Sequence, residues 1–147
     1  MPIAYLLIAF MKHTIDHLGI AVKSLDEARK FYQQLGLQVA GEEVVPHEKV
    51  KVAMINVGES RIELLEATSP DSVIAKFVAK RGEGLHHVAI HVPDLAAAVE
   101  KLKASGTRFI SDEIKIGAGG HRYVFVHPTS AGGVLLELVG SSSQVKA

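Results

Sequence analysis

Apolar and polar residues alternate from Thr14 to Val22, the period of a half-buried strand, and at Ser24 the pattern changes to helical spacing. Ser24 stands where an N-cap is needed, and Asp26 and Glu27 supply acids to the first turn. Leu25, Ala28, Phe31, Tyr32 and Leu35 then fall on one face at i, i+3, i+4 intervals, and Gly36 sits where a left-handed residue would end the helix. Extended segments follow, with strands predicted over 37–44, 50–57 and 60–66 and Gly58-Glu59 as a tight hairpin connection. Residues 13–67 thus read as one βαβββ module.

Thr68-Ser69-Pro70-Asp71 interrupts the chain, and Val73 to Lys80 has helical periodicity within a linker over 70–82 that Gly82 and Gly84 release. The first pattern then returns over 84–140: a strand from His86 to Val92, Asp94 as a cap, and Leu95, Ala98, Val99 and Leu102 as a helix face ending near Gly106. Short strands are expected over 108–111, 113–116, 122–127 and 134–139, with 117–120 and 128–133 as loops. The predicted fold class is α+β, built from tandem βαβββ modules related by a pseudo-twofold around a cleft.

The repeat carries chemistry. An offset of 70 positions superposes Ile15-Asp16-His17-Leu18-Gly19-Ile20-Ala21-Val22 on Leu85-His86-His87-Val88-Ala89-Ile90-His91-Val92. Each module ends in a strand with an acid among aliphatics, Arg61-Ile62-Glu63-Leu64-Leu65 and Val134-Leu135-Leu136-Glu137-Leu138-Val139. A histidine on a strand is usually a satisfied structural residue, and a glutamate on an alternating strand usually faces water. Solvated side chains have no cause to keep the same His-to-Glu order twice, however, and a carboxylate facing a core costs several kcal/mol unless paired or coordinated. His17, Glu63, His87 and Glu137 are therefore expected to bind one divalent cation, with positions left for substrate oxygens. His86 is not expected to be a ligand, because Asp16 holds its place in the first module; His91 shares the face of His87, and His13, His47, His121 and His127, with no repeat partner, are read as structural or substrate-contacting.

Composition narrows the field. The chain of 147 residues has 16 basic and 16 acidic side chains with no basic stripe, which argues against a nucleic-acid partner. The absence of cysteine excludes disulfides, thiolate metal sites and a cysteine nucleophile. The apolar run Met1 to Met11, within an N-terminal extension over 1–12, is too short to span a bilayer and has no basic residue ahead of it. It is read as an added strand, a loose tail or an upstream start ahead of Met11, and the expected location is cytoplasmic, with no membrane association.

With Gly84-Leu85-His86-His87-Val88-Ala89, Lys115-Ile116-Gly117-Ala118-Gly119-Gly120, and His127-Pro128 followed by Gly132-Gly133-Val134-Leu135-Leu136-Glu137-Leu138, the chain resembles the vicinal oxygen chelate superfamily from about Ile15 to Leu138. Its closer likeness is to members that invert a carbon next to a CoA thioester. The resemblance implies that His17, Glu63, His87 and Glu137 are metal ligands, that cobalt is the first choice of cation ahead of Mn, Ni, Zn or Mg, and that the protein is a homodimer. It also implies an isomerase passing through an enolate; a two-base inversion needs carboxylates on both sides of the substrate, and Glu63 and Glu137, with Glu48 as a lesser candidate, are the expected acid/base groups. The further acid some members carry on the strand after the first helix is missing from Lys49-Val50-Lys51-Val52-Ala53-Met54-Ile55, and Glu48 is the nearest carboxylate. Lys115, Arg122 and the loop of Gly117, Gly119 and Gly120 are the expected contacts for the CoA phosphates, through charge and backbone N–H groups. The competing readings are a glyoxalase-like isomerase acting on a glutathione adduct, a ring-cleaving dioxygenase, and a metal-free drug-binding protein on the same modules. The dioxygenase fits least, since its iron site has two histidines and one carboxylate.

Overall fold

The structure is a computed structural model that describes residues 12–142; the apolar run Met1 to Met11 lies outside them. The described residues divide into two compact units, one of residues 17–87 and one of residues 12–16 with 88–142. Strands β1 (Thr14–Ala21) and β5 (Gly84–His91) each cross that division.

In the unit of residues 17–87, β1 is followed by α1 (Leu25–Gln34), β2 (Val39–Val45), β3 (Val50–Val57), β4 (Ser60–Ala67) and α2 (Val73–Arg81). The strands lie in the order β2-β3-β4-β1, with β2/β3 and β3/β4 antiparallel and β1 parallel to β4. Gly58, at φ 59°, makes the β3–β4 hairpin turn that the sequence predicts. One sheet face is covered by α1, where Val22, Leu25, Ala53, Ile55 and Leu64 form a core joined by Ile20, Ala28, Tyr32 and Ile62. Leu25, Ile55 and Leu64 are fully buried, each contributing about 1.5–3 kcal/mol. The first turn of α1 is capped twice: Ser24 Oγ accepts from the Glu27 N–H at 3.3 Å, and Glu66 Oε1 accepts from the Leu25 N–H at 2.7 Å. The apolar stripe of α1 is narrower than its spacing suggests. Phe31 and Leu35 are 62% and 64% exposed, so Leu25, Ala28 and Tyr32 carry the packing.

The second unit repeats this topology. Its part of β5 is followed by α3 (Leu95–Ala104), β6 (Lys115–Ile116), β7 (His121–Val126) and β8 (Leu136–Ser142), in the order β6-β7-β8-β5 with β5 parallel to β8. Asp94 caps α3 by accepting from the Ala97 N–H at 3.1 Å. Val92, Leu95, Val99, Val124, Val126 and Leu138 form the core between helix and sheet. Here the expected strands are shortened. Residues 108–111 contribute a single bridge between Phe109 and Val126, and 113–116 contracts to Lys115–Ile116. Local bonds compete for that backbone: Ser111 Oγ accepts from the Glu113 N–H at 3.3 Å, and Lys103 Nζ donates to the Asp112 carbonyl at 3.2 Å. Single 3-10 turns occupy Pro46–Glu48, Ala118–Gly120 and Pro128–Ser130. No helix among the described residues is long and apolar enough to cross a membrane.

Helix α3 approaches β8 closely because Gly140 has no side chain; a Cβ there would lie 2.9 Å from Leu95 Cβ. Gly140→Ala is expected to lower stability by about 1–3 kcal/mol through overpacking. Urea unfolding would show this as a lower midpoint at unchanged slope.

Candidate metal centre

Strand parity decides which side chains leave the helix-covered face. Ile62 and Leu64 face α1, so Glu63 between them faces the other way, beside Met54 of β3. Ile20 on β1 and Val22 just after it join the core, which turns His17 and Gly19 to the face of Glu63; the β1/β4 register sets Gly19 opposite Glu63. His87 closes the group from the middle of β5.

These three side chains converge. His17 Nε2 is 3.4 Å from Glu63 Oε1, His87 Nε2 is 3.5 Å from the same oxygen, and the two Nε2 atoms are 3.2 Å apart. All three residues are buried, with 4% to 7% of their surface exposed. Two donors about 2.1 Å from a shared ion, at tetrahedral or octahedral angles, lie about 3.0–3.4 Å apart. The spacing and the N/O donor set therefore fit a divalent cation, and His17, Glu63 and His87 can hold one. Gly19 makes room: a Cβ at this position would fall inside the His87 imidazole.

The Glu63 carboxyl is held down to about 2 from an ordinary 4.5. Burial pushes it up, and hydrogen bonds and charge from His17 and His87 more than offset that push. The group is thus a carboxylate throughout the working pH range.

Parity repeats in the second unit. Leu136 and Leu138 face α3, and Glu137 is buried on the opposite face, in register with Ala89 and Phe125 and on the side of Tyr123 and Val139. Glu48 ends the 3-10 turn Pro46–Glu48, with its side chain 31% exposed and 3.9 Å from His47 Nε2. Lys49 after it adopts the left-handed conformation, φ 56°, and its ammonium pairs with Asp71.

Lys115 is exposed and Arg122 half-buried, and β6/β7 pairing sets Ile116 against Arg122. The glycines between them have local reasons to be there. Gly119 and Gly120 are left-handed at φ 68° and 75°, and a Cβ at Gly117 would come within 3.0 Å of the Tyr123 ring. Contrary to the expectation of free N–H groups, the Gly117 N–H donates to the His121 carbonyl at 2.9 Å and the Gly120 N–H to the Gly117 carbonyl at 3.1 Å.

Two other histidines serve turns. His127 Nδ1 accepts from the Thr129 N–H at 3.1 Å, and His121 Nδ1 lies 3.4 Å from the Ala118 carbonyl. His86, set aside as a ligand, nonetheless contacts one, its Nδ1 lying 2.9 Å from His87 Nδ1. The adjacent His-His pair, found in one copy of the repeat and not the other, was the available signal.

The fold and site define a class. Residues 16–125 match the model of the glyoxalase/bleomycin resistance protein/dioxygenase superfamily. The human mitochondrial methylmalonyl-CoA epimerase is 42% identical over 126 residues, covering 84% of this chain and 72% of the relative. An ethylmalonyl-CoA/methylmalonyl-CoA epimerase of Cereibacter sphaeroides is 38% identical over 127 residues, covering 84% and 95%. A variant of Streptomyces coelicolor methylmalonyl-CoA epimerase, solved in complex with 2-nitronate-propionyl-CoA, superposes with a TM-score of 0.84 at 38% identity, over 91% of this chain and 97% of that one. The chain belongs to the methylmalonyl-CoA epimerase family of that superfamily.

The depressed Glu63 value has a measurable sign. Because the folded value lies below the unfolded one, its stabilisation is complete above pH 4.5 and is lost as pH falls through about 2. In metal-free protein the stability difference between wild type and Glu63→Gln should shrink across that window, by on the order of 3 kcal/mol. Denaturant titrations at stepped pH would measure it.

Proposed function

We propose that this chain interconverts the two epimers of methylmalonyl-CoA through a cation-assisted enolate, with His17, Glu63, His87 and Glu137 holding the cation. The observation that carries the reading is the convergence of three buried N/O donors within 3.5 Å in a chain 42% identical to an epimerase of that substrate. Cobalt is the first choice of cation on resemblance, with Mn, Ni, Zn or Mg also compatible with these donors. A homodimer is the expected assembly on the same ground.

The chemistry removes the proton from a carbon between a thioester carbonyl and a carboxylate, and returns one to the opposite side. When bound, the cation supplies Lewis-acid stabilisation for the charge developing on the thioester oxygen, worth several kcal/mol at tenfold in rate per ~1.4 kcal/mol. The side chains move the proton. A carboxylate whose charge two imidazoles stabilise as strongly as they do Glu63 is a reluctant base, which suits Glu63 to holding the cation more than to proton transfer. Glu137 is then the leading acid/base group, and Glu48, half-exposed at the tip of its turn, is the candidate for the second. Lys115 and Arg122 would meet the CoA phosphates by charge. Since Gly117 and Gly120 spend their N–H groups within the turn, the two side chains carry that contact.

Exchange of the α-proton of methylmalonyl-CoA in deuterated buffer, followed by NMR, tests the reading. Metal-loaded protein is expected to exchange and racemise the substrate rapidly, and an EDTA-treated sample to be nearly inert; no exchange in the loaded protein would overturn it. Glu137→Gln should lower turnover about 10²- to 10⁴-fold and weaken metal binding. Paired Lys115→Ala and Arg122→Ala substitutions should raise KM with little change in kcat, as steady-state kinetics would show.

A further inference from the structure

We infer that His86 is a positioning residue for His87: it binds the outer ring nitrogen of the ligand and thereby holds the inner one toward Glu63 and His17. Neighbouring residues on a strand ordinarily point to opposite faces. Here both imidazoles turn until their Nδ1 atoms are 2.9 Å apart, with the rings edge-to-face at 88°. The opposite nitrogen of His87, Nε2, is the one that lies 3.5 Å from Glu63 Oε1 and 3.2 Å from His17 Nε2.

Two facing ring nitrogens share one proton, since one must donate and the other accept. With Nε2 of His87 offering its lone pair to a cation, the proton sits on Nδ1 and donates to Nδ1 of His86, which fixes the tautomer and plane of the ligand ring. His86 is held in turn from α2. The Phe77 ring meets it edge-to-face, with centroids 5.0 Å apart and planes at 84°, and the Arg81 guanidinium lies 5.8 Å from the Phe77 centroid. The linker helix, whose start is fixed by Ser72 Oγ accepting from the N–H groups of Ile74 and Ala75, thus reaches the ligand through a row of edge-to-face rings. Asp16 stands at the equivalent place in the first module.

The inference rests on the cation reading, and its test separates the two. Zn²⁺ affinity would be measured by calorimetry for wild type, His86→Phe, His86→Asn and Phe77→Leu, with thermal unfolding as a folding control. His86→Phe keeps a flat ring against Phe77 and removes the acceptor; it should lose about 10- to 100-fold in affinity. His86→Asn, which returns an acceptor near the Nδ1 position, should recover most of that loss, and Phe77→Leu should fall between. In Zn²⁺-loaded wild type, the His87 Hδ1 should be protected from solvent and show coupling to the His86 nitrogen by ¹H–¹⁵N NMR; in His86→Phe that protection should vanish. Unchanged affinity and protection in a folded His86→Phe would overturn the inference while leaving the metal centre standing. Equal weakness of the Phe and Asn variants would also overturn it, by assigning the loss to packing. Failure of wild type to bind Zn²⁺ would sink the cation reading and His86's role together.

Discussion

A buried carboxylate between two imidazoles is the constraint on which the site in residues 17–87 depends. Glu63 sits on a strand whose neighbours are aliphatic, where an ionised group costs several kcal/mol unless its charge is met. His17 and His87 meet it from two different strands, one 46 residues before it and one 24 after. The group closes only when β1 pairs with β4 in the observed register, because a slip of one residue between them would leave His17 and Glu63 on opposite faces of the sheet. Fold and chemistry are thus linked through strand parity: the leucines and isoleucines that pack α1 are the same residues that turn the donors away from it.

The second unit uses the same device. Leu136 and Leu138 commit to α3, and Glu137 is left on the other face in register with Ala89, as Glu63 is with Gly19. The copies differ at two positions that bear on His87. Gly19 gives its volume to the His87 ring, and Ala89 stands in the matching place; His86 braces His87, and Asp16 stands in the place that would brace His17. An epimerase acts on the two sides of one carbon with groups that do different work. Departures from exact repetition are therefore informative, and they gather around His87.

Much of this was legible in the chain. The alternation of β1, the caps Ser24 and Asp94, the hairpin at Gly58 and the paired His-to-Glu order are local patterns with periods of 2 or 3.6, or repeats at a fixed offset, and these survive into the structure because backbone geometry imposes them. What did not survive has equally local causes. Phe31 and Leu35 have helical spacing yet lie exposed, because spacing gives a face and not the width of sheet available to cover it. Residues 108–116 look extended but pair only in part: Arg108 and Ile110 bond to backbone near the end of β7, while the Asp112 carbonyl and Glu113 N–H are taken by a lysine ammonium and a serine hydroxyl. In the loop of 117–120, read as a contact for phosphates, the Gly117 and Gly120 N–H groups are engaged within the turn.

Residue identity and repetition by themselves determined the two βαβββ modules, the donor set of histidine and glutamate, and the family, because each is written in one-dimensional order. Only the tertiary structure decided that three donors meet within 3.5 Å, that Glu63 is held as a carboxylate against its burial, and that His86 touches a ligand from the next position along the strand. The reason is physical: a charge's environment and a ring's orientation depend on strands far apart in sequence, and no local period records which atoms those strands bring together.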